Sequence, residues 1–424
     1  MKDRGHRGAT DSNKPIVQKV KKIELNEKHI PLRVVLLIVV IIIAITAFGI
    51  FFSSLLSADP GWMVIEEINT NYPSIGQDFI LNYNVPKKDS TLMKKKVQGI
   101  YSDLVEKPLI LFDTLNDYEG YINLKYINEH PNEIIEVDSL LYNSFKKINE
   151  YGNKTIFLGP VYSQYRSLFT SLNNTEAYEF DAKYNDSMKE YFSTICTYLE
   201  NNKINIELFE NNKIRLNVLD DYLTYSEENN ITDYLDFWTL KNAFVSDYIV
   251  DNLFENGITD FILSSNDGYN YVVGVTEEVA IEVWQKTKKQ KNLVGRLTFS
   301  GTKAFVNYSD SPLDINEDNY YVYYDKDDKT NDILDITSRY IDPSDGIAKE
   351  ASKIYYACSS TLGSADVALS IIDIYTRNNI DTSKVSEILE NGIYSLYLDA
   401  SLNVISNMPS DITFTDSSSL YGDI

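Results

Sequence analysis

The chain has 424 residues, 43% of them hydrophobic, enough for one large or two ordinary domains with a proper core. Its formal net charge is −23, unevenly spread: residues 1–33 hold nine Lys/Arg against four Asp/Glu, a surplus of +5 that leaves −28 on the remainder. A body this acidic argues against nucleic-acid binding and against adhesion to anionic lipid, both of which need positive charge facing phosphate.

Residues 1–33 are polar and basic, a cytoplasmic arm without apolar period. Val34–Phe52 is a run of 19 residues without a charge, close to the ~20 needed to span the hydrocarbon core. The basic arm before it and the acidic body after it predict a retained transmembrane helix with its N-terminus in the cytoplasm and the rest outside the membrane. A cleaved signal peptide is the alternative; the run is long for one and Ser54–Ala58 is a poor cleavage site. No Cys follows that would carry a lipid.

Residues 53–75 read as a stalk. Gly76–Tyr83 alternates as a first strand. A Lys-rich segment (Lys87–Lys96) follows, then a helix from Met93 to about Leu104. Asp138–Tyr151 is amphipathic, with Leu141, Phe145 and Ile148 at i, i+4 and i+7. Residues 170–190 are polar and Asn-rich, an insertion or surface helix; the sequons at Asn173 and Asn230 are incidental in so Asn-rich a chain. Ile204–Leu208 and Lys213–Val218 form a hairpin around Asn211-Asn212. A helix runs on to Asn256, where Gly257 stops it, and Ile258–Leu263 is a strand. Residues 271–306 hold strands. Asn319–Tyr324 and Ile333–Thr337 flank an acidic loop, 325–332, which lacks the spacing and the glycine of an EF-hand and reads as a solvated hairpin tip. A turn (341–346), a strand (Ser352–Cys358), two helices opening at Ser364 and Thr382, and a last strand (Ile393–Leu398) complete an α+β ectodomain of two lobes, residues 76–406. The Asp/Ser-rich tail, 407–424, is expected to be disordered.

Cys196 and Cys358 lie outside any CxxC or Cys/His cluster, which disfavours zinc and thiol–disulfide chemistry; one disulfide and two buried thiols both stay open. Of three histidines, His6 and His29 precede the apolar run and only His130 follows it. Asp366 and Ser370 are four apart at a helix start, so their oxygens share one face. That pair can hold a hard cation such as Mg²⁺; the plainer use is Ser364 as cap and Asp366 as dipole partner.

The order of motifs resembles the ApbE-type family, the FAD:protein FMN transferases once called thiamine-biosynthesis lipoproteins. Its His-Ile-Ile-Asp-Pro-x-Thr-Gly turn and Ala-Asp-Ala-x-x-Thr helix start are matched by Arg339–Gly346 and Ala365–Ser370. Its Leu-Asp-Leu-Gly…Lys-Gly-Tyr-Ala-x-Asp and Asn-x-Gly-Gly-Asp segments are matched by Leu235–Trp238, Lys241–Asp247 and Ser264–Asp267. Thr298–Gly301 is similar to its Thr-Ser-Gly, and Gly159-Pro160-Val161 to the end of its Gly-Pro-Leu segment. The resemblance implies a flavin-transferase fold, FAD as ligand at Asp236, Asn242, Asp267, Ser300 and Asp342, Mg²⁺ at Asp366 and Ser370, and an envelope flavoprotein or membrane complex as partner. The family moves FMN onto a Ser or Thr hydroxyl, which needs a divalent ion on the pyrophosphate, a base, and glycines where backbone nears the dinucleotide.

The chain departs from that pattern. Arg339 stands at the family's His, and arginine cannot take a proton. Phe237-Trp238, Asn242-Ala243 and Ser265-Asn266 replace glycine-bearing pairs, and the family's Phe-Asp-Pro-Thr portion is missing. The expectation is a membrane-anchored, extracytoplasmic relative with a degenerate site that binds a ligand or partner, holding FAD and Mg²⁺ or neither. The alternatives are an active Mg²⁺-dependent FMN transferase and a non-enzymatic subunit of an envelope complex. A cleft shared by Asp366, Ser370 and Asp267 would favour retained ligand binding; one filled by Phe237 and Trp238 would oppose it.

Overall fold

The computed structural model describes residues 60–67, 78–170, 174–286, 291–308, 320–324 and 333–418. The basic arm, the apolar run 34–52, the acidic loop 325–332 and most of the expected stalk lie outside them. Among the described residues no helix is long and apolar enough to cross a membrane.

In chain order the elements are β1 (Gly61–Ile65), β2 (Phe79–Val85), α1 (Ser90–Leu111), α2 (Leu124–Glu129), β3 (Ile135–Glu136), α3 (Ser139–Tyr151), α4 (Gly159–Thr170), α5 (Asn174–Phe180) and α6 (Asp186–Glu200). Next come β4 (Ile204–Phe209), β5 (Lys213–Val218), α7 (Asp220–Glu228), α8 (Lys241–Glu255), β6 (Phe261–Ser265), β7 (Tyr269–Val273), β8 (Val279–Lys286), β9 (Lys291–Phe299) and β10 (Lys303–Asn307). The chain closes with β11 (Tyr320–Tyr324), β12 (Ile333–Ser338), β13 (Tyr355–Ser359), α9 (Ser364–Tyr375), α10 (Thr382–Glu390), β14 (Tyr394–Leu398), β15 (Val404–Ser406) and β16 (Ile412–Asp416).

One antiparallel sheet, in the order β1-β2-β6-β7-β10-β13-β14-β15, takes strands from Gly61 to Ser406. It carries apolar residues on both faces, so successive side chains enter different cores. Tyr355 and Ala357 of β13 join the large core beneath α8 and α9, while Tyr356 and Cys358 join a smaller one. That smaller core is closed by a second sheet, β16-β9-β8, through Val283, Leu297, Phe299 and Ile412. Two cores therefore lie on opposite faces of one continuous sheet.

Local chemistry sets the ends of the elements. Asp138 caps α3 by accepting from Leu140 N at 2.9 Å. Asn211 and Asn212 turn the β4–β5 hairpin at φ 60° and 54°, a conformation Asn tolerates. Gly257, at φ 75°, follows α8 as expected.

Three expectations are corrected. Residues 61–65 of the expected stalk are a strand, with Gly61 opposite Val85 and Ile65 opposite Leu81. Residues 412–416 of the expected loose tail pair with β9, Ile412 to Phe299 and Asp416 to Gly295. The helix read as Met93–Leu104 extends over Ser90–Leu111, Pro108 included. Both cysteines are buried and free, and burial pushes each thiol up to about 12.

Candidate functional site

A cavity of about 480 Å³ opens where α1, α4, the start of α8, the β6–β7 turn and the residue after β12 converge. Asp236 shapes the chain into α8: its Oδ1 accepts from Trp238 N at 2.8 Å. In the β6–β7 turn, Ser265 donates to Asp267 at 2.6 Å and accepts from Tyr269 N at 2.9 Å. Gly268 lets this turn approach β10; a Cβ there would lie 2.1 Å from the Asn307 carbonyl oxygen.

The wall carries three ion pairs: Arg166–Asp236 at 2.5 Å, Lys241–Asp78 at 2.6 Å and Arg339–Asp267 at 3.3 Å. Arg339 also donates to the Trp238 carbonyl oxygen. Both Arg339 and Asp267 are buried. Burial raises the Asp267 carboxyl above its usual range, although Arg339 and Ser265 oppose the rise. The fourth lining carboxylate, Asp113, is taken up by Leu115 N at 2.6 Å, Asn116 N at 3.1 Å and Tyr118 OH at 2.7 Å. All three lining cations are thus matched inside the wall, and an incoming phosphate would have to displace a carboxylate to reach one.

Aromatic groups form the rest. Trp238 is half-buried, with the guanidinium carbons of Arg166 and Arg339 5.0 and 5.2 Å from its ring centroid. Tyr162 and Phe169 meet it edge-on at 5.3 and 5.5 Å. Phe237 is buried against Phe112, Phe145 and Phe244. These two residues wall the cavity without filling it.

The start of α9 is a separate, closed arrangement. Asp247 of α8 accepts from Ser364 N at 2.6 Å, Ala365 N at 3.1 Å and Tyr271 OH at 2.7 Å, so it caps α9 from outside. A Cβ on Gly363 would meet Asp247 Oδ2 at 2.6 Å, so a larger residue there would displace the capping carboxylate. Burial raises the Asp247 carboxyl to about 6 despite those donors and Lys147. Asp366 faces Lys147 Nζ at 2.8 Å, Tyr151 OH at 3.2 Å and Gly363 N at 3.4 Å. Ser370 Oγ donates to the Asp366 carbonyl oxygen at 2.8 Å.

Mg²⁺ does not fit Asp366 and Ser370 so disposed. An ammonium holds the carboxylate, and the hydroxyl serves its own helix. Among the described residues no group of three or more His, Cys, Asp or Glu is placed to hold a metal.

Of the residues singled out from sequence, Asp236, Asn242, Asp267 and Arg339 line this cavity. Asp342 does not: it is buried between Lys349 at 2.7 Å and Arg377 at 2.6 Å. Burial alone would raise its carboxyl, but Lys349, Ser344 and Arg377 hold it below the usual range. Ser300 is exposed after β9, outside the cavity. Asp366 and Ser370 lie outside it too, so the cleft shared with Asp267 does not form. His130 stacks on Tyr126 at 4.1 Å, away from the lining. Sequence reading missed Asp78, Arg166 and Phe169. Asp78 and Arg166 lie 163 and 70 residues from their partners Lys241 and Asp236, and no local pattern marks them.

No protein-family model matches the chain, and no curated protein does. Among solved structures it is similar to the crystal structure of the ApbE protein of Thermotoga maritima, at 11% identity and TM-score 0.55, over 82% of this chain and 97% of that one. It is likewise similar to the flavin transferase ApbE of Vibrio cholerae, at 14% identity and TM-score 0.50, over 85% of this chain and 98% of that one. The chain has the fold of the ApbE flavin transferases.

Proposed function

We propose that this chain is a membrane-anchored, extracytoplasmic relative of the ApbE flavin transferases whose cleft binds a ligand or a protein partner without transferring FMN. The observation that carries this reading is the internal neutralisation of the cleft. Arg166, Lys241 and Arg339 are each held by a lining carboxylate. A pyrophosphate would meet four carboxylates, Asp78, Asp113, Asp236 and Asp267, against those three cations.

Two further features support it. The position of the family's proton acceptor is a buried arginine bonded to a carbonyl oxygen and a carboxylate, which cannot take a proton. The expected metal pair is closed by Lys147 and Tyr151. What remains is a cavity with an aromatic wall and fixed polar groups, the makeup of a binding site. The anchor is the apolar run Val34–Phe52, which places the acidic body on the outer side.

The direct test is an FMN-transfer assay. The purified chain is incubated with FAD, Mg²⁺ and a flavoprotein acceptor bearing a Ser or Thr, and covalent flavin is read as fluorescence on a denaturing gel. No labelled acceptor is expected. Labelling that disappears in Asp366→Ala would replace this reading with an active Mg²⁺-dependent transferase.

A further inference from the structure

The three ion pairs of the cleft wall leave one lining carboxylate over. Arg166, Lys241 and Arg339 are matched by Asp236, Asp78 and Asp267. The fourth carboxylate, Asp113, follows α1 and accepts from neutral donors: Leu115 N, Asn116 N, Tyr118 OH, and Asn116 Nδ2 at 2.9 Å. Burial alone would raise its carboxyl, but those hydrogen bonds hold it below the usual range, so it is ionised at neutral pH. Four carboxylates against three cations give the lining a formal charge of −1. The body around it carries −28, a field that draws cations in and turns anions away.

A second observation is independent of charge. Asn242, in the first turn of α8, lines the cavity and is 3% exposed. A chain of acceptors orients its amide. The Asp78 carboxylate accepts from Asn266 Nδ2 at 3.2 Å, so Asn266 turns its oxygen to Asn242 Nδ2, at 3.4 Å. The Asp267 carboxyl also takes a hydrogen bond from Asn242, which helps hold it down against burial. The amide nitrogen of Asn242 is thus directed to Asn266 and Asp267, and the oxygen is the other end. That Oδ1 is buried and has no hydrogen-bond partner among the described residues. A buried acceptor left unmet is costly, so this one calls for a donor from a ligand.

We infer that the cleft takes a small organic cation, a primary ammonium on an aromatic body, its N–H groups meeting Asn242 Oδ1 and its charge balancing the surplus carboxylate of the wall. The inference rests on the binding-only reading above and names the ligand class for that same cleft. An ammonium answers both needs at once, since it carries a positive charge and three donors and has no acceptor. The aromatic body follows from Phe169, Phe237 and Trp238 on the wall, with Leu109 and Leu115 lining the same space. An ionised carboxylate brings no proton for Asn242 and adds to the surplus negative charge.

The test is calorimetry on the purified full chain at pH 7 with three probes that share an indole ring: tryptamine, an ammonium; tryptophol, a neutral alcohol; and indole-3-propionate, a carboxylate. Tryptamine should bind about tenfold tighter than tryptophol, and the propionate more weakly than either. Asp113→Asn should bring tryptamine down to the level of tryptophol and leave tryptophol unchanged. Because Asp113 also shapes its own turn, Thr170→Lys serves as the second variant: Thr170 is an exposed lining residue, and the added charge should likewise erase the preference for tryptamine. Equal affinities for the three probes, a preference for the propionate, or no binding of any of them overturns the inference and leaves the binding-only reading standing. Covalent flavin on the acceptor in the FMN-transfer assay, run on the same preparation, overturns that reading and the inference with it.

Discussion

The cleft wall and the start of α9 are two regions that the sequence marks with the same kind of signal, acidic residues at helix starts and turns. They end differently. In the cleft, Asp236 and Asp267 pair with Arg166 and Arg339 around about 480 Å³ of open space. At α9, Asp366 and Asp247 face Lys147, Tyr151, Tyr271 and backbone N–H groups, and neither lines that cavity. One region keeps room for a visitor but has spent its charge; the other has spent both charge and space. A carboxylate at a motif-matched position is therefore put to use by whatever partners the fold gives it.

The largest effect should come from breaking the buried pair in the cleft. Arg339→Ala leaves Asp267 buried without its cation, and loss of one partner of such a pair costs about 3–5 kcal/mol. Urea unfolding measures it, and Arg339→Met combined with Asp267→Asn should lose less than Arg339→Ala alone. An Arg339→Ala loss of under about 1 kcal/mol would show the pair to be solvent-like, where such pairs are worth that little.

The next effect comes from Asp247. Its folded carboxyl is raised to about 6 by burial, above the roughly 3.9 of an unfolded chain. Folding thus favours its protonated form, so its contribution is full below about pH 4 and is lost as pH rises through about 6, on the order of 3 kcal/mol. Unfolding free energies at pH 4 and pH 7 should differ by that much more in the native chain than in Asp247→Asn. Equal pH dependence in the two would mean that the α9 cap is wet. The smallest effect belongs to Lys147→Met. The Lys147–Asp366 pair is partly exposed, at 29% and 19%, so its loss should cost about 1 kcal/mol or less. A cost near that of Arg339→Ala would erase the contrast between the regions.

What could be read from sequence follows the range of the interactions. The β4–β5 hairpin, α3, α9 and α10 are written in local period and caps, and the sequence shows them directly. β1 and β16 are short, and their pairing with β2 and β9 is specified by the partner strand rather than by their own composition. The same holds in the site. Asp236, Asn242, Asp267 and Arg339 could be placed from motif order, and they do meet. The residues that set their chemistry could not: Lys147 is 219 residues from Asp366, and Asp78 is 163 from Lys241. Ser300 and Asp342 fit the motif pattern equally well, yet the fold leaves one exposed and ties the other to Lys349 and Arg377.

A calorimetric titration of FAD into the purified protein, with and without Mg²⁺, tests the central claim most directly. The account predicts no Mg²⁺-dependent binding and the same null result for Asp366→Ala. Tight binding that requires Mg²⁺ and is lost in Asp366→Ala would contradict it, because Lys147 would then have yielded its place to a metal and the transferase site would have survived.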